Sequence, residues 1–151
     1  MIKDIQKKDL LLISIKPQYA EKIFKGEKTI ELRKSSPIKA EKNSIVLIYV
    51  TSPVKELWGI CKVENITKGS PAQIWKSFGD KTGISKQEFN TYYKNTIKGV
   101  AIELKDVKSL KSNSISLNVL RKVISGFTPP QTFAYLNMKQ VNSEILNQLL
   151  T

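Results

Sequence analysis

Lys28, Glu31 and Arg33 put an amine, a carboxylate and a guanidinium into the stretch Gly26-Glu27-Lys28-Thr29-Ile30-Glu31-Leu32-Arg33, and Lys16 stands upstream. Cations converging on a carboxylate can hold a phosphate or the polar edge of a base, with the carboxylate keeping them oriented. A lysine that is crowded by like charge and partly desolvated falls in pKa and can act as a general base near neutral pH. A neighbouring glutamate pushes that pKa back up, so the residues leave the direction open. The same four side chains also read as an ion-pair network that ties one strand to its neighbours. Histidine is absent, which removes the commonest general base, the usual zinc ligand and any Ser-His-Asp or Cys-His arrangement. Chemistry here would use lysine, carboxylate, hydroxyl or backbone groups.

The elements that must position these residues are legible on either side. Leu10 to Ile15 is an apolar run of strand length that ends beside Lys16. Pro17 suits a first helical position, and Ala20, Ile23 and Phe24 repeat at helical spacing. Gly26 sits where a left-handed C-terminal cap would, so Lys28 to Arg33 is expected to continue as a strand. Strand parity then puts Glu31 and Arg33 on one face and Lys28 on the other, unless a bulge intervenes.

Further on, Ser44 to Val50 reads as a buried strand and Glu56 to about Ile66 as another, with Gly59 marking a bulge or corner. Ser70-Pro71 caps a helix through Ile74, Trp75 and Phe78 that stops near Gly79. Ser85-Lys86-Gln87-Glu88 is a capping-box pattern opening a helix whose stripe of Phe89, Tyr92 and Tyr93 reads as core, with base stacking by either tyrosine as the alternative. Gly99 to Val107 alternates as a strand, Leu117 to Val123 reads as a short helix, and Pro129-Pro130-Gln131 as a fixed loop over a barrel mouth. Apolar residues from Ile145 to Leu150 predict a C-terminal amphipathic helix over 142–150.

A chain of 151 residues is one domain's worth, and a single domain over 1–151 is expected. The formal net charge of +12 fits an anionic partner such as nucleic acid, although only Arg33 and Arg121 are arginines and a lysine-rich surface also serves solubility. The single cysteine, Cys61, alternates among strand residues as a small buried hydrophobe and allows no disulfide within the chain. Neither a signal-peptide pattern nor a transmembrane run is visible, so a cytoplasmic protein without membrane contact is expected.

The pattern Ser14-Ile15-Lys16-Pro17, Tyr19-Ala20, Ile23, Gly26, Lys28, Glu31, Arg33, followed by Tyr49-Val50-Thr51-Ser52-Pro53-Val54, resembles the ASCH family, a branch of the PUA-like β-barrels. The likeness runs from Leu10 to about Leu136 when Pro129 to Phe133 are counted. It implies an α+β fold, a small mixed PUA-like β-barrel of five or six strands with peripheral helices. Its cleft would gather Lys16, Lys28, Glu31, Arg33, Ser52 and Gln131.

The resemblance also implies a nucleic-acid-binding module, for RNA or a nucleotide, with a regulatory role; no metal and no cofactor are expected. The alternative it implies is a metal-independent hydrolase. Small ASCH enzymes deacetylate N4-acetylcytidine with a Gly-x-Lys-Thr-Ile-Thr-x-Arg motif. Its lysine falls on Lys28 and its arginine on Arg33, but its second threonine falls on Glu31, which leaves Lys28 and Glu31 as the catalytic candidates here. Other members resemble ribonucleases of single-stranded RNA that use a lysine, a tyrosine and a serine, for which Lys28, Tyr49 and Ser52 match by type.

Overall fold

In a computed structural model, residues 10–137 and Val141 are described, and the helix expected over 142–150 lies outside them. Strand β1 (Leu10–Ile15) is followed by helix α1 (Pro17–Phe24), β2 (Ile30–Arg33), β3 (Ile45–Val50) and β4 (Glu56–Gly69). Helices α2 (Pro71–Phe78) and α3 (Lys86–Tyr92) precede β5 (Gly99–Ser109); the short β6 (Ile115–Ser116), α4 (Leu117–Val123) and β7 (Phe133–Leu136) follow.

These strands form one mixed sheet of seven in the order β2-β5-β4-β3-β1-β7, with β6 pairing to β4. β1 and β3 run parallel, Ile13 opposite Ile48, which requires the crossover that α1 and β2 supply. The sheet curls into a half-barrel. Three strands separate β2 from β1 in the pairing order, yet Arg33 Nη2 donates to the Ser14 carbonyl on β1 at 2.9 Å. The bulge read at Gly59 is present: Ile48 faces Gly59 and Tyr49 faces Leu57, leaving Trp58 as the extra residue. The seven strands outnumber the expected five or six because β6 has two residues and β7 four, too short for a periodic signal.

Both faces of the sheet are covered, which is why β1 and β3 are almost wholly apolar. Inside the curl, Leu11, Ile13, Ile48, Val63 and Ile102 pack with Ala20 and Ile23 of α1. On the other face Leu12, Leu47, Tyr49 and Leu57 meet Leu120, Ile124 and Phe127. Helices α2 and α3 bring Ile74, Phe89 and Tyr93 onto Ile30 and Leu32. Among the described residues no helix is long and apolar enough to cross a membrane.

Candidate functional site

The site begins with how α1 is framed. Pro17 stands at its first turn, and the chain turns out of it through Gly26 at φ +79°, the left-handed conformation glycine adopts without penalty. Lys28 comes before β2, not within it. Its N–H donates to the Lys22 carbonyl, so strand parity does not govern it. The side chain, 4 % exposed, turns back to donate from Nζ to the carbonyls of Ile30 at 2.6 Å and Thr82 at 2.7 Å. The expected strand start at Lys28 is therefore corrected to Ile30. From there the alternation holds: Ile30 and Leu32 enter the core while Glu31 and Arg33 face the other way.

A cavity of about 270 Å³ opens where β1, α1, β2 and α3 meet. Lys16, Lys28, Glu31, Arg33 and Gln131 line it, so five of the seven residues singled out by sequence come together. The proline loop lies over the end of β1, with Ser14 Oγ donating to the Pro130 carbonyl at 2.6 Å and the Ser14 N–H to Thr132. Tyr49 and Ser52 do not reach the cavity. Tyr49, 2 % exposed, alternates with Ile48 and Val50 to the opposite face of β3 and packs against Phe127 at 5.9 Å between ring centroids. Ser52 is exposed in the turn after β3, and Thr51 lines the cavity in its place.

Ser14, Tyr19, Thr51 and Glu88, which the sequence did not single out as site residues, also line the cavity, together with Tyr92. Tyr19 was within the motif, but nothing local says that its hydroxyl meets Glu88 Oε2 at 3.2 Å, since the two are 69 residues apart. The stripe on α3 divides. Phe89 and Tyr93 are buried, while Tyr92 faces the cavity with the Lys34 amine 5.0 Å from its ring centre.

Charge in this wall is incompletely paired. Arg33 Nη1 lies 3.3 Å from Glu31 Oε1, with the two side chains 14 % and 8 % exposed. Glu31 Oε2 and Arg33 Nε are buried without a hydrogen-bond partner among the described residues. Buried polar atoms are normally satisfied, so an acceptor and a donor left over side by side favour a ligand that presents the complementary pair. Burial pushes the pKa of Lys28 below the ordinary lysine value; Glu31 opposes this, and Arg33 and Lys22 add to it. Tyr19 is raised by burial and then by its bond to Glu88, and Tyr92 is raised by burial against the pull of Arg33. Among the described residues no three His, Cys, Asp or Glu side chains gather as a metal site would require.

A curled mixed sheet with a charged cavity at the junction of β1, α1 and β2 is the architecture of the PUA-like barrels. Over 137 residues the chain is 31 % identical to the ASCH domain-containing ribonuclease of Zymomonas mobilis, covering 91 % of this chain and 90 % of that one. The crystal structure of ASCH from Zymomonas mobilis superposes with a TM-score of 0.79 at 30 % identity, across 93 % of this chain and 92 % of that one. A tyrosine-to-phenylalanine variant of that protein reaches 0.82 at 28 % identity, across 95 % and 97 % of the two chains. Large ribosomal subunit protein uL22 of Ureaplasma parvum is 32 % identical over 127 residues, which make up 83 % of this chain and 40 % of that protein. Residues 11–126 also match a domain of unknown function, DUF365. The chain belongs to the ASCH domain family.

Proposed function

We propose that the cavity holds one nucleotide of a single-stranded RNA and that the protein cleaves the chain there. The observation that carries this reading is the unpartnered pair Glu31 Oε2 and Arg33 Nε beside the buried Lys28 amine in a cavity between Tyr19 and Tyr92. The relative of similar length named as a ribonuclease gives the reading its direction. RNA cleavage needs an acceptor for the 2′-hydroxyl proton, cations for the phosphate and a donor for the leaving oxygen, and these three residue types are present.

Glu31 Oε2 takes the 2′-hydroxyl proton as O2′ attacks phosphorus. Arg33 and the Lys28 ammonium balance the charge that grows on the non-bridging oxygens. The P–O5′ bond breaks and Lys28 gives a proton to O5′. The products are a 2′,3′-cyclic phosphate and a 5′-hydroxyl, and solvent returns the proton from Glu31 to Lys28. The two carbonyls that Lys28 serves accept more strongly from an ammonium than from a neutral amine, and its lowered pKa makes that ammonium a readier proton donor. This favours the donor over the base role for Lys28.

A second reading, of binding without cleavage, is favoured by the same two carbonyls, because they keep the amine tethered to the protein. A DNA oligonucleotide carrying one ribonucleotide separates the two. Cleavage 3′ of the ribonucleotide alone, with a cyclic phosphate seen by mass, supports the nuclease. Retention of an intact strand by the cavity supports the binding module.

A further inference from the structure

The loop from Gly79 to Ser85 reaches the cavity through Ile84, and most of the loop lines a second depression of about 820 Å³. Ile84 lines both. From this groove Trp75, Lys76 and Lys86 lead on to a third depression of about 540 Å³ between α2 and α3, since the same three residues line both. The three hollows therefore neighbour one another, the cavity and the groove on either side of Ile84 and the groove and the third depression on either side of Trp75.

We propose that this groove is the track for the nucleotides that flank the one held in the cavity, with a base stacked on Trp75 and phosphates met by Lys76 and Lys86. The proposal rests on the RNA reading of the cavity. Trp75 is fixed by its neighbours: its ring meets that of Phe89 at 4.9 Å and 55°, and it packs so close to Gly79 that a Cβ there would come within 2.8 Å of the indole. The ring is half-buried, and the part left uncovered lines the groove. An aromatic face interleaved with lysines is the arrangement that binds a single strand without reading its sequence. Asp80 is the acidic residue of the groove, against Lys22, Lys76 and Lys86.

The track and the cavity share a structural member. Thr82, in the loop, accepts from Lys28 through its carbonyl, and Gly83 accepts from Lys22 at 2.6 Å. A strand lying in the groove therefore rests on the loop that fixes the Lys28 amine.

The test compares affinities of 2′-O-methyl oligoribonucleotides, which cannot be cut, at lengths of two and eight nucleotides. The wild-type protein is expected to prefer the longer one, and Trp75→Ala to lower that preference by about tenfold to a hundredfold, the loss of one stacked base. Because Trp75 also packs on Phe89, the double variant Lys76→Ala, Lys86→Ala supplies an independent reading that leaves the packing alone. Its slope of log affinity against log salt falls by about 1.4 for the longer oligomer. The charge-matched control Lys111→Ala, Lys122→Ala lies on elements that line none of the three hollows. An equal fall in this control, or a wild-type protein with no length preference, overturns the track. Binding of the longer oligomer that depends on Lys76 and Lys86 but not on Arg33 retains the track and contradicts the cavity reading instead.

Discussion

Replacing Lys28 by methionine keeps the length of the side chain and removes only the ammonium, so the consequences can be worked from its contacts. Two hydrogen bonds from a charged donor are lost, to Ile30 and Thr82, each worth about 1.5–3 kcal/mol. Against this, the buried charge no longer has to be held out of water, and the lowered pKa of Lys28 says that this cost is the largest influence on it. The two effects oppose each other, and the net loss of stability is about 1–3 kcal/mol. A domain at the low end of ordinary stability, about 5 kcal/mol, would retain about 2 kcal/mol and stay roughly 97 % folded. Cleavage loses far more. Removing the proton donor costs about 10²–10⁴ in rate, and a lost cation at the phosphate adds to that. Single-turnover cleavage of a labelled single-stranded RNA, run beside a thermal melt, reads both quantities. The expected result is a fall in rate of at least about a thousandfold in a folded variant. The wild-type rate should also decline on the alkaline side as Lys28 loses its proton, at a pH below the ordinary lysine value of 10.5, and this limb should vanish in the variant. A variant that cuts within fivefold of wild type would refute the assignment of Lys28 as donor.

Arg33→Ala removes the guanidinium that bridges β2 to Ser14 and faces the cavity. RNA affinity should fall more than in Lys122→Ala, and the slope of log affinity against log salt should drop by about one, measured by fluorescence anisotropy. Gly59→Ala places a Cβ against the carbonyl oxygen of Lys108 and 2.7 Å from the Phe24 ring. Neither neighbour can yield easily, so a loss of about 3 kcal/mol is expected, read as a melting temperature lower by roughly 10 °C. Burial pushes the Cys61 thiol up to about 12 from its ordinary 9.0, so the folded protein keeps its proton where the unfolded chain releases it. The resulting stability is fully present below pH 9.0 and is lost as the pH rises towards 12, by about 1 kcal/mol already near pH 10. Denaturant titrations should show this decline, weakened in Cys61→Ala, and native Cys61 should resist thiol reagents.

Most of the frame was legible because its signals are local. Pro17 and Gly26 bound α1, Ser70 caps α2 as expected and closes a capping box with Gln73 besides, Ser85 caps α3 through the expected capping box, and Leu117 to Val123 is the short helix expected there. Glu31 and Arg33 share a face because a strand alternates. What escaped depends on distant pairing. β7 lies beside β1 with Phe133 opposite Ile13, and four residues carry no period that would announce it. Lys28 joins Glu31 because it precedes the strand and is anchored by Thr82, which is 54 residues away. Tyr92 and Tyr93 look alike in sequence, but their neighbours divide them between cavity and core. Tyr49 entered by residue type and Ser52 on the family resemblance, and the parity of β3 and the turn after it carry them away from the cavity.

The most direct measurement is a time course of one single-stranded RNA with wild-type protein and with Glu31→Gln, products identified by mass. The wild type is expected to give 2′,3′-cyclic phosphate and 5′-hydroxyl ends, and the variant a rate at least about a hundredfold lower. Intact RNA with the wild type, or equal cleavage by both proteins, would contradict cleavage at this cavity with Glu31 as the base.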